Sequence, residues 1–482
     1  MLAGAAAAMG HPPLSLPPAA ILGFAIAARM LANAQSWRMA ARFGWFFAGS
    51  HFAVVMIWVV EPFLIFPHQH GWMAPIAIAA LAGGLALFWS AAFAVAWAIG
   101  YGPMSRAAAL AVTTVAAESL REVVFTGFPW GLPGYAWSAT PVSQVAAHIG
   151  PLGLSFLTVL AAAGLVRDRH LPAGGMAAMA CFAGLWVLGL ERQQSAPVPD
   201  PTSPVVRLIQ PNVDQDLKWD PDHTEEFYQG LLDLSGRDAG ESPVVVVWPE
   251  TAATFLLSGE DDRLAEISAA AGGRAVIGIR RYGDGRIFNT MAVIGPEGVL
   301  EETYDKRKLV PFGEYIPFGD FLARQGFSGI ATDETGAFSA GEGSAILSVP
   351  PLGRVMAIIC YEAIFWSALR REDRPDVMIQ ITNDAWFGSF SGPQQHLEQI
   401  RMRAIELGIP VLRSANTGIT AAIDSRGNTI GTIELGRQDI LDVRLPPPEG
   451  PTWFARLGHL PLLVVSAMMA GLLVRRKFAI RR

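Results

Sequence analysis

A series of long apolar runs in the N-terminal part of the chain limits the possible fold more than any other feature. Each run is long enough, or nearly so, to cross about 30 Å of hydrocarbon as an α-helix. A helix satisfies its own backbone hydrogen bonds, so it is the expected structure for such runs in lipid. The sequence therefore predicts a transmembrane helical bundle. The runs lie at residues 17–33, 43–60, 72–100, 106–127, 142–166 and 174–190, with one more at 458–474.

The rest of the chain has a different composition. The whole sequence is 51% hydrophobic and 16% charged, against about 25% charged in a typical soluble protein. The apolar excess is confined to residues 1–190, while residues 200–448 resemble an ordinary globular domain. We therefore expect three parts, namely a transmembrane domain at 1–198, a globular domain at 199–448, and a C-terminal transmembrane helix with a basic tail at 449–482.

Basic residues are concentrated in alternate connections between the runs, and the connections at 61–71 and 128–141 contain none. The positive-inside rule places the basic connections and the C-terminus in the cytoplasm. The globular domain then faces outward, which is the periplasm in a bacterium with two membranes. Residues 1–16 are also left outside and are too short to span, so we expect a truncated first span. The basic residues are Arg38, Arg42, Arg106, Arg167, Arg169, Arg475, Arg476, Lys477, Arg481 and Arg482.

One apolar run carries ionisable residues. Glu118 lies three residues before Arg121 and four before Glu122, so the three share one side of a helix. Ionisable groups at membrane depth are typical of functional sites. Alternatively, Arg121 extends to the outer interface beside Phe128 and Trp130. The sequence leaves both interpretations open.

The globular domain alternates predicted strands with predicted helices, and some strands form hairpins. This pattern favours a sandwich of sheets covered by helices. A glycine-rich stretch at 318–343 is predicted to be a mobile loop. Strands are expected at 205–210, 244–248, 274–281, 287–294, 298–304, 354–360, 377–382, 411–415 and 419–424, and helices at 223–236, 261–271, 362–372 and 393–407.

Three chemically useful side chains follow predicted strands. Glu250 comes after a run of four valines, Lys306 follows the strand at 298–304, and Cys360 ends the strand at 354–360. Adjacent strand ends converge on one edge of a sheet, so we expect these residues to meet. A carboxylate can remove the thiol proton as a general base, and an ammonium can stabilise the oxyanion formed on a carbonyl.

Each of these residues has a simpler interpretation when it is taken alone. Cys360 could be core packing, Glu250 could cap a helix or turn, and the basic cluster at 306–308 could be a solvated face. The chain's other cysteine, Cys181, lies in an apolar run, so we expect no disulfide. His68 and His70 lack a carboxylate cluster at ligand spacing, so no metal site is predicted. The net charge of −6 gives no indication of a nucleic-acid partner.

The segments around these residues resemble the nitrilase superfamily, in the form found in the bacterial apolipoprotein N-acyltransferase family. The similar segments are Trp248-Pro249-Glu250, Tyr304-Asp305-Lys306, Leu309-Val310-Pro311-Phe312-Gly313-Glu314 and Ile359-Cys360-Tyr361-Glu362, with later blocks at 382–388 and 413–418. The resemblance covers nearly the whole chain and departs only at the N-terminus. It implies an α-helical transmembrane bundle joined to an α/β domain with an α-β-β-α sandwich.

The resemblance also implies roles for individual residues. Cys360 is expected to be the nucleophile, Glu250 the general base and Lys306 the oxyanion stabiliser. Glu314 and Glu362 are expected to orient Lys306 and Cys360. Two more residues, Trp219 and Tyr361, are expected to contact substrate, although Trp219 could instead be a packing aromatic. No cofactor or metal is implied.

By the same resemblance, the expected reaction is transfer of an acyl chain from a membrane phospholipid to the α-amine of diacylglyceryl-cysteine on an apolipoprotein, through a cysteine thioester. We expect a monomeric, multi-pass inner-membrane protein with loop 318–343 covering its site. One alternative is a membrane-tethered nitrilase-type amidase acting on small amides. Another is a transporter or sensor with a ligand-binding outer domain, which Glu118 and Arg121 favour.

Overall fold

The residues group into two compact units. The computed structural model describes residues 1–166, 171–257, 262–315, 317, 338–369 and 373–481. The first unit comprises Met1–Ser195, Phe390–Gly408 and Gly450–Arg482, and the second comprises Ala196–Ser389 and Ile409–Glu449. The sequence led us to expect divisions after residues 198 and 448. The division at Phe390–Gly408 was not expected, because this polar segment lies between two strands of the globular domain.

Helices make up the first unit. Its α-helices are α1 (Leu2–Ala8), α2 (Pro17–Ala32), α3 (Trp37–Val55), α4 (Pro67–His70), α5 (Ala74–Ile99), α6 (Pro103–Val123), α7 (Ala146–Gly164), α8 (Leu171–Gln194), α12 (Gly392–Leu407), α13 (Trp453–Leu457) and α14 (Leu460–Arg481), and its 3-10 helices are Ile57–Leu64, Gly71–Met73, Pro133–Trp137 and Pro141–Val145.

Three helical stretches in the described part of the chain are long and apolar enough to cross a membrane. They are Pro67–Ile99, Pro141–Gly164 and Gly174–Gln194. A fourth is possible if α3 and Ile57–Leu64, which are bent by 48° at their junction, form one broken span. The expected spans at 17–33, 106–127 and 458–474 are also helical, as α2, α6 and α14, but they do not reach that length and composition.

The ionisable residues of α6 are turned into the first unit. Arg121 is only 2% exposed, forms an ion pair with Glu118, and donates hydrogen bonds to the carbonyls of Phe128 (2.6 Å) and Trp130 (2.7 Å). The indole of Trp89 donates to Glu118 at 2.5 Å. Arg121 therefore does not extend to the protein surface, and its contacts hold the loop that follows α6.

Two mixed sheets, each with parallel and antiparallel strand pairs, form the centre of the second unit. The first sheet has the strand order β13-β1-β2-β4-β5-β6, with β3 paired to β4, and the second has the order β12-β11-β10-β9-β8-β7. The strands are β1 (Val205–Gln210), β2 (Val245–Val247), β3 (Ala253–Leu257), β4 (Ala275–Gly283), β5 (Arg286–Ile294), β6 (Leu300–Asp305), β7 (Ile346–Val349), β8 (Gly353–Ile359), β9 (Val377–Thr382), β10 (Val411–Ala415), β11 (Thr420–Ile423), β12 (Thr429–Ile433) and β13 (Asp439–Arg444).

Continuous apolar runs form the central strands because parallel strands are buried on both faces. Every residue of β2 and β9 is buried. The α-helices of the second unit are α9 (Thr224–Gly236), α10 (Asp262–Ala270) and α11 (Trp366–Leu369). The first two pack apolar side chains such as Leu231 and Ile267 against Trp248 and Ile277 of the first sheet. Between the sheets, the Ser414 hydroxyl lies 2.8 Å from the carbonyl of Ile209 on β1.

Strand direction brings the expected site residues to one edge of the first sheet. β2 is parallel to β4, and β4 and β6 are both antiparallel to β5. The strands β2, β4 and β6 therefore run in the same direction. Glu250 follows β2 and Lys306 follows β6, so both leave the sheet at the ends of parallel strands.

A fully buried ion pair stabilises the second sheet. Arg413 on β10 pairs with Asp384, and neither side chain is exposed to solvent. The Arg413 guanidinium also donates to the Gln380 side chain (2.6 Å) and to the carbonyl of Ile419 (3.0 Å). Removing one charge of such a pair leaves the other buried without compensation, which is strongly destabilising.

We predict that Asp384→Asn lowers the unfolding free energy of the second unit by about 3 kcal/mol. The matched control is Asp439→Asn, because Asp439 pairs with Arg237 at the surface, where the side chains are 55% and 45% exposed. An exposed pair contributes at most about 1 kcal/mol. Differential scanning calorimetry of the full-length protein in detergent measures both variants. Equal shifts in melting temperature would contradict this account of the pair.

Candidate active site

The Glu250 carboxylate is held by three donors. It lies just beyond β2 and is 5% exposed. One oxygen accepts hydrogen bonds from the Asn289 side chain (2.7 Å) and from Lys306 Nζ (3.0 Å). The other accepts from the backbone N–H of Asn383 (2.8 Å). Asn289 lies on β5 and Asn383 directly follows β9, so both sheets contribute to fixing this carboxylate.

Lys306 is a buried cation between two carboxylates. Its Nζ is within 3.0 Å of Glu250 and 2.8 Å of Glu314, and its side chain is 1% exposed. The second Glu314 oxygen accepts from the backbone N–H of Val310 at 2.8 Å. Burial alone lowers the pKa of Lys306, but the Glu250 and Glu314 carboxylates outweigh burial and raise that pKa well above its ordinary value. Lys306 is therefore charged.

Cys360 begins the turn after β8 in a strained backbone conformation. Its φ of +48° is in the left-handed region, which costs free energy in a residue other than glycine. The residue is 6% exposed. Burial and the nearby Glu250 carboxylate raise the pKa of the Cys360 thiol, and the Lys306 ammonium opposes them. The resting sulfur is therefore a protonated thiol that needs a base before it can attack.

Glu362 joins the backbone around Cys360 to the backbone around Lys306. One oxygen accepts from the Tyr304 hydroxyl (2.7 Å) and from the N–H groups of Arg307 (2.9 Å) and Lys308 (3.2 Å). The other accepts from the N–H of Ile359 at 2.9 Å. Burial raises the pKa of Glu362, and its hydrogen bonds partly offset that effect. This one carboxylate bridges the ends of β6 and β8.

Trp219 and Tyr361 pack against protein side chains. The Trp219 ring faces the Arg280 guanidinium at 3.9 Å. Tyr361 is buried and packs edge-to-face on Phe365, with the ring centroids 5.2 Å apart. Substrate contact by either residue stays a prediction. Of the loop expected at 318–343, residues 318–337 lie outside the described residues.

Sequence reasoning missed three residues that contact Glu250. Asn289 and its neighbour Thr290 are buried polar residues in the otherwise apolar stretch 287–294 of β5, and this break in the apolar pattern could have been noticed in the sequence. Asn383 follows β9, but it contributes its backbone N–H, which the residue type does not indicate. Lys218 donates from Nζ to the Glu250 carbonyl at 3.2 Å. Nothing in its local sequence distinguishes it from a surface lysine.

The arrangement provides the groups needed for nucleophilic attack on a carbonyl. Glu250 and Lys306 both lie close enough to the Cys360 sulfur to shift its pKa. A thiol, a base and a cation at one buried point match the requirements of thioester formation. Within the described residues, no group of three or more His, Cys, Asp or Glu side chains could hold a metal ion.

Two families match successive parts of the chain, and the second match includes Phe390–Gly408, which belongs to the first unit of the fold. Residues 3–164 match the family described as the apolipoprotein N-acyltransferase N-terminal domain, and residues 206–449 match the carbon-nitrogen hydrolase family. A nitrilase-superfamily protein of Saccharomyces cerevisiae is 18% identical, with a TM-score of 0.39, over 51% of this chain and 90% of its own.

Curated relatives cover nearly the full length. The apolipoprotein N-acyltransferase of Bradyrhizobium diazoefficiens is 36% identical over 99% of this chain and 94% of its own length. The enzyme of the same name from Caulobacter vibrioides is 35% identical over 98% of this chain and 93% of its own. A transporter or sensor is thereby excluded, and the chain belongs to the apolipoprotein N-acyltransferase family of acyltransferases, with a nitrilase-like catalytic fold.

Proposed function

We propose that this enzyme moves an acyl chain from a membrane phospholipid to the N-terminal α-amine of diacylglyceryl-cysteine on an apolipoprotein, through a thioester on Cys360. The observation that carries the proposal is the hydrogen bond between Glu250 and Lys306 next to a buried, protonated thiol. That arrangement suits a two-step acyl transfer, in which one base serves both steps.

In the first step, Glu250 removes the proton of Cys360 as the sulfur attacks the ester carbonyl of the phospholipid. Lys306 stabilises the negative charge that develops on the carbonyl oxygen. The carbon–oxygen ester bond then breaks. The leaving alkoxide takes the proton from Glu250, which gives a lysophospholipid and an acyl thioester on Cys360.

In the second step, the α-amine of the apolipoprotein attacks the thioester carbonyl. Glu250 takes a proton from the amine, and Lys306 again stabilises the oxyanion. The carbon–sulfur bond breaks, and the sulfur recovers its proton from Glu250. The products are an N-acylated lipoprotein and the resting thiol. Glu314 and Glu362 orient the reacting groups through their hydrogen bonds to Lys306 and to the backbone beside Cys360.

The membrane unit suits substrates that are both lipids. The family is an inner-membrane one, and the basic connections favour a cytoplasmic C-terminus and a periplasmic catalytic domain. A site at the outer surface of the bilayer can receive a phospholipid and a lipid-anchored protein without extracting either into water. Exclusion of water also protects the thioester from hydrolysis.

An amidase for small amides is the second candidate, because residues 206–449 match the carbon-nitrogen hydrolase family. The two candidate functions predict different products when no acyl acceptor is present. We expect purified enzyme mixed with phospholipid alone to release about one lysophospholipid per enzyme and then stop, because the thioester persists. Mass spectrometry of lipids and intact protein measures both products. Turnover of small amides without any acyl-enzyme would favour the amidase.

We predict that Cys360→Ala abolishes formation of the acyl-enzyme. Cys181 is an exposed cysteine on α8, so Cys181→Ala is the matched control and should acylate like the wild type. The mass of the intact protein after incubation with phospholipid gives the result directly. An acyl mass on the Cys360→Ala protein, in amounts similar to wild type, would refute Cys360 as the nucleophile.

We predict that Glu250→Gln slows acylation of Cys360 by about 10³-fold near pH 7, within the range usual for loss of a general base. Without the base, attack requires the free thiolate, and burial keeps the pKa of this thiol raised. The residual rate should therefore increase about tenfold per pH unit over the whole range from about pH 6 to about pH 9. The wild-type rate should vary much less over the same range.

Single-turnover rates at several pH values distinguish these profiles. Glu266→Gln serves as the control. Glu266 lies on α10, and within the described residues its carboxylate accepts a hydrogen bond from the Tyr228 hydroxyl. A flat profile for Glu250→Gln with a nearly normal rate would contradict the assignment of Glu250 as the base.

A further inference from the structure

The turn that carries Glu250 has a strained backbone. Thr251, the next residue, has a φ of +47° and is 7% exposed. The left-handed region is especially unfavourable for a β-branched residue such as threonine. The turn also lies directly on β4, because a Cβ added to Gly278 would come within 2.2 Å of the Pro249 carbonyl and 2.6 Å of the Thr251 nitrogen. Such a conformation persists only where neighbouring groups enforce it.

Lys218 supplies the contacts that enforce this conformation. Its Nζ donates to the Thr251 hydroxyl at 2.7 Å and to the Glu250 carbonyl at 3.2 Å. The side chain is 3% exposed, although lysine is rarely buried to this extent. Burial lowers the pKa of Lys218 to about 8, with the Glu250 charge acting in the opposite direction. The Lys218 amine has N–H donors for these hydrogen bonds whether it is charged or neutral.

The residue after Lys218 holds the same segment against β4. The Trp219 ring lies 3.9 Å from the Arg280 guanidinium. Arg280 is two residues beyond Gly278 on β4, and it contacts the Thr254 carbonyl at 3.4 Å. The segment 218–219 therefore reaches both the Glu250 turn and the strand beneath it. A packing role of this kind accounts for Trp219 without any contact to substrate.

We infer that Lys218 is a positioning residue that holds the left-handed turn at Thr251 and so directs the Glu250 carboxylate toward Lys306, Asn289 and Asn383. The inference rests on the proposed role of Glu250 as the base for Cys360. Lys218 touches the backbone of Glu250, not its carboxylate. Loss of Lys218 should therefore misplace the base without removing it.

The experiment compares Lys218→Met in a Cys181→Ala background with its parent, using the full-length protein in detergent. Two rates at Cys360 are measured across pH, acylation by phospholipid and alkylation by iodoacetamide. We expect acylation to fall about 10²-fold, as for a displacement of about 1 Å. We expect both rates to acquire the steep pH dependence predicted for Glu250→Gln. Lys477→Met in the C-terminal helix is the matched control and should leave both rates unchanged.

A second substitution separates backbone positioning from a general loss of folding. Glycine adopts a φ of +47° without strain, so Thr251→Gly should restore acylation of the Lys218→Met protein by at least about tenfold. A protein that merely folds poorly without Lys218 would recover acylation only as far as its melting temperature recovers. Melting temperatures of the four combinations, measured alongside the rates, complete the double-mutant cycle.

Two results would overturn the inference, namely Lys218→Met rates equal to those of the parent, or a loss that Thr251→Gly leaves unchanged. The iodoacetamide arm is independent of the lipid substrate. If phospholipid fails to acylate even the parent while the alkylation profiles change and recover as expected, the proposed acyl donor is wrong and the role of Lys218 is supported.

Discussion

The buried pair of Glu250 and Lys306 is the interaction on which the catalytic unit depends. Two charges removed from water are costly unless further hydrogen bonds satisfy them. Here the Glu250 carboxylate has donors from Asn289 and Asn383, and the Lys306 ammonium has the second carboxylate of Glu314. Each partner comes from a different segment of the chain, so the pair is stable only when both sheets are assembled. The charged groups are therefore fixed before any substrate arrives, which electrostatic catalysis requires.

Two of the strained backbone positions lie beside the same pair. Cys360 and Thr251 both have positive φ values, and each is adjacent to or part of the proposed catalytic set. The groups that hold them differ in kind. Glu362 binds the N–H of Ile359 just before Cys360, whereas Lys218 binds the carbonyl and hydroxyl around Thr251. A carboxylate thus fixes one turn by accepting from a backbone N–H group, and an amine fixes the other turn by donating to oxygens. The side chains of Glu362 and Lys218 are both buried, so water does not compete for their hydrogen-bond partners.

The sequence predicted the residues that follow strands, but not the contacts between segments. Glu250, Lys306 and Cys360 were found because each follows or ends a predicted strand, and strand patterns are local. The contact of Asn383 was not predicted because Asn383 acts through its backbone N–H. The role of Lys218 was not predicted because its partners come together only in the folded turn at Thr251. The predicted bounds of the membrane unit were incomplete for a related reason. Hydropathy does not identify the polar segment Phe390–Gly408 as part of this unit. Gln395 in that segment nevertheless accepts a hydrogen bond from the indole of Trp130 at 2.6 Å.

The raised pKa of Cys360 has a consequence for an enzyme at a lipid surface. A permanent thiolate would react with oxidants and with any activated carbonyl that entered the site. Burial and the Glu250 charge instead keep the sulfur protonated, and Lys306 does not reverse this on its own. In the proposed mechanism, the nucleophile is generated only when an ester lies close enough for proton removal and attack to occur together. Under this proposal, transfer of the Cys360 proton to Glu250 is the first step that selects the acyl donor, because a group that does not reach both Cys360 and Lys306 gives Glu250 no driving force to accept that proton.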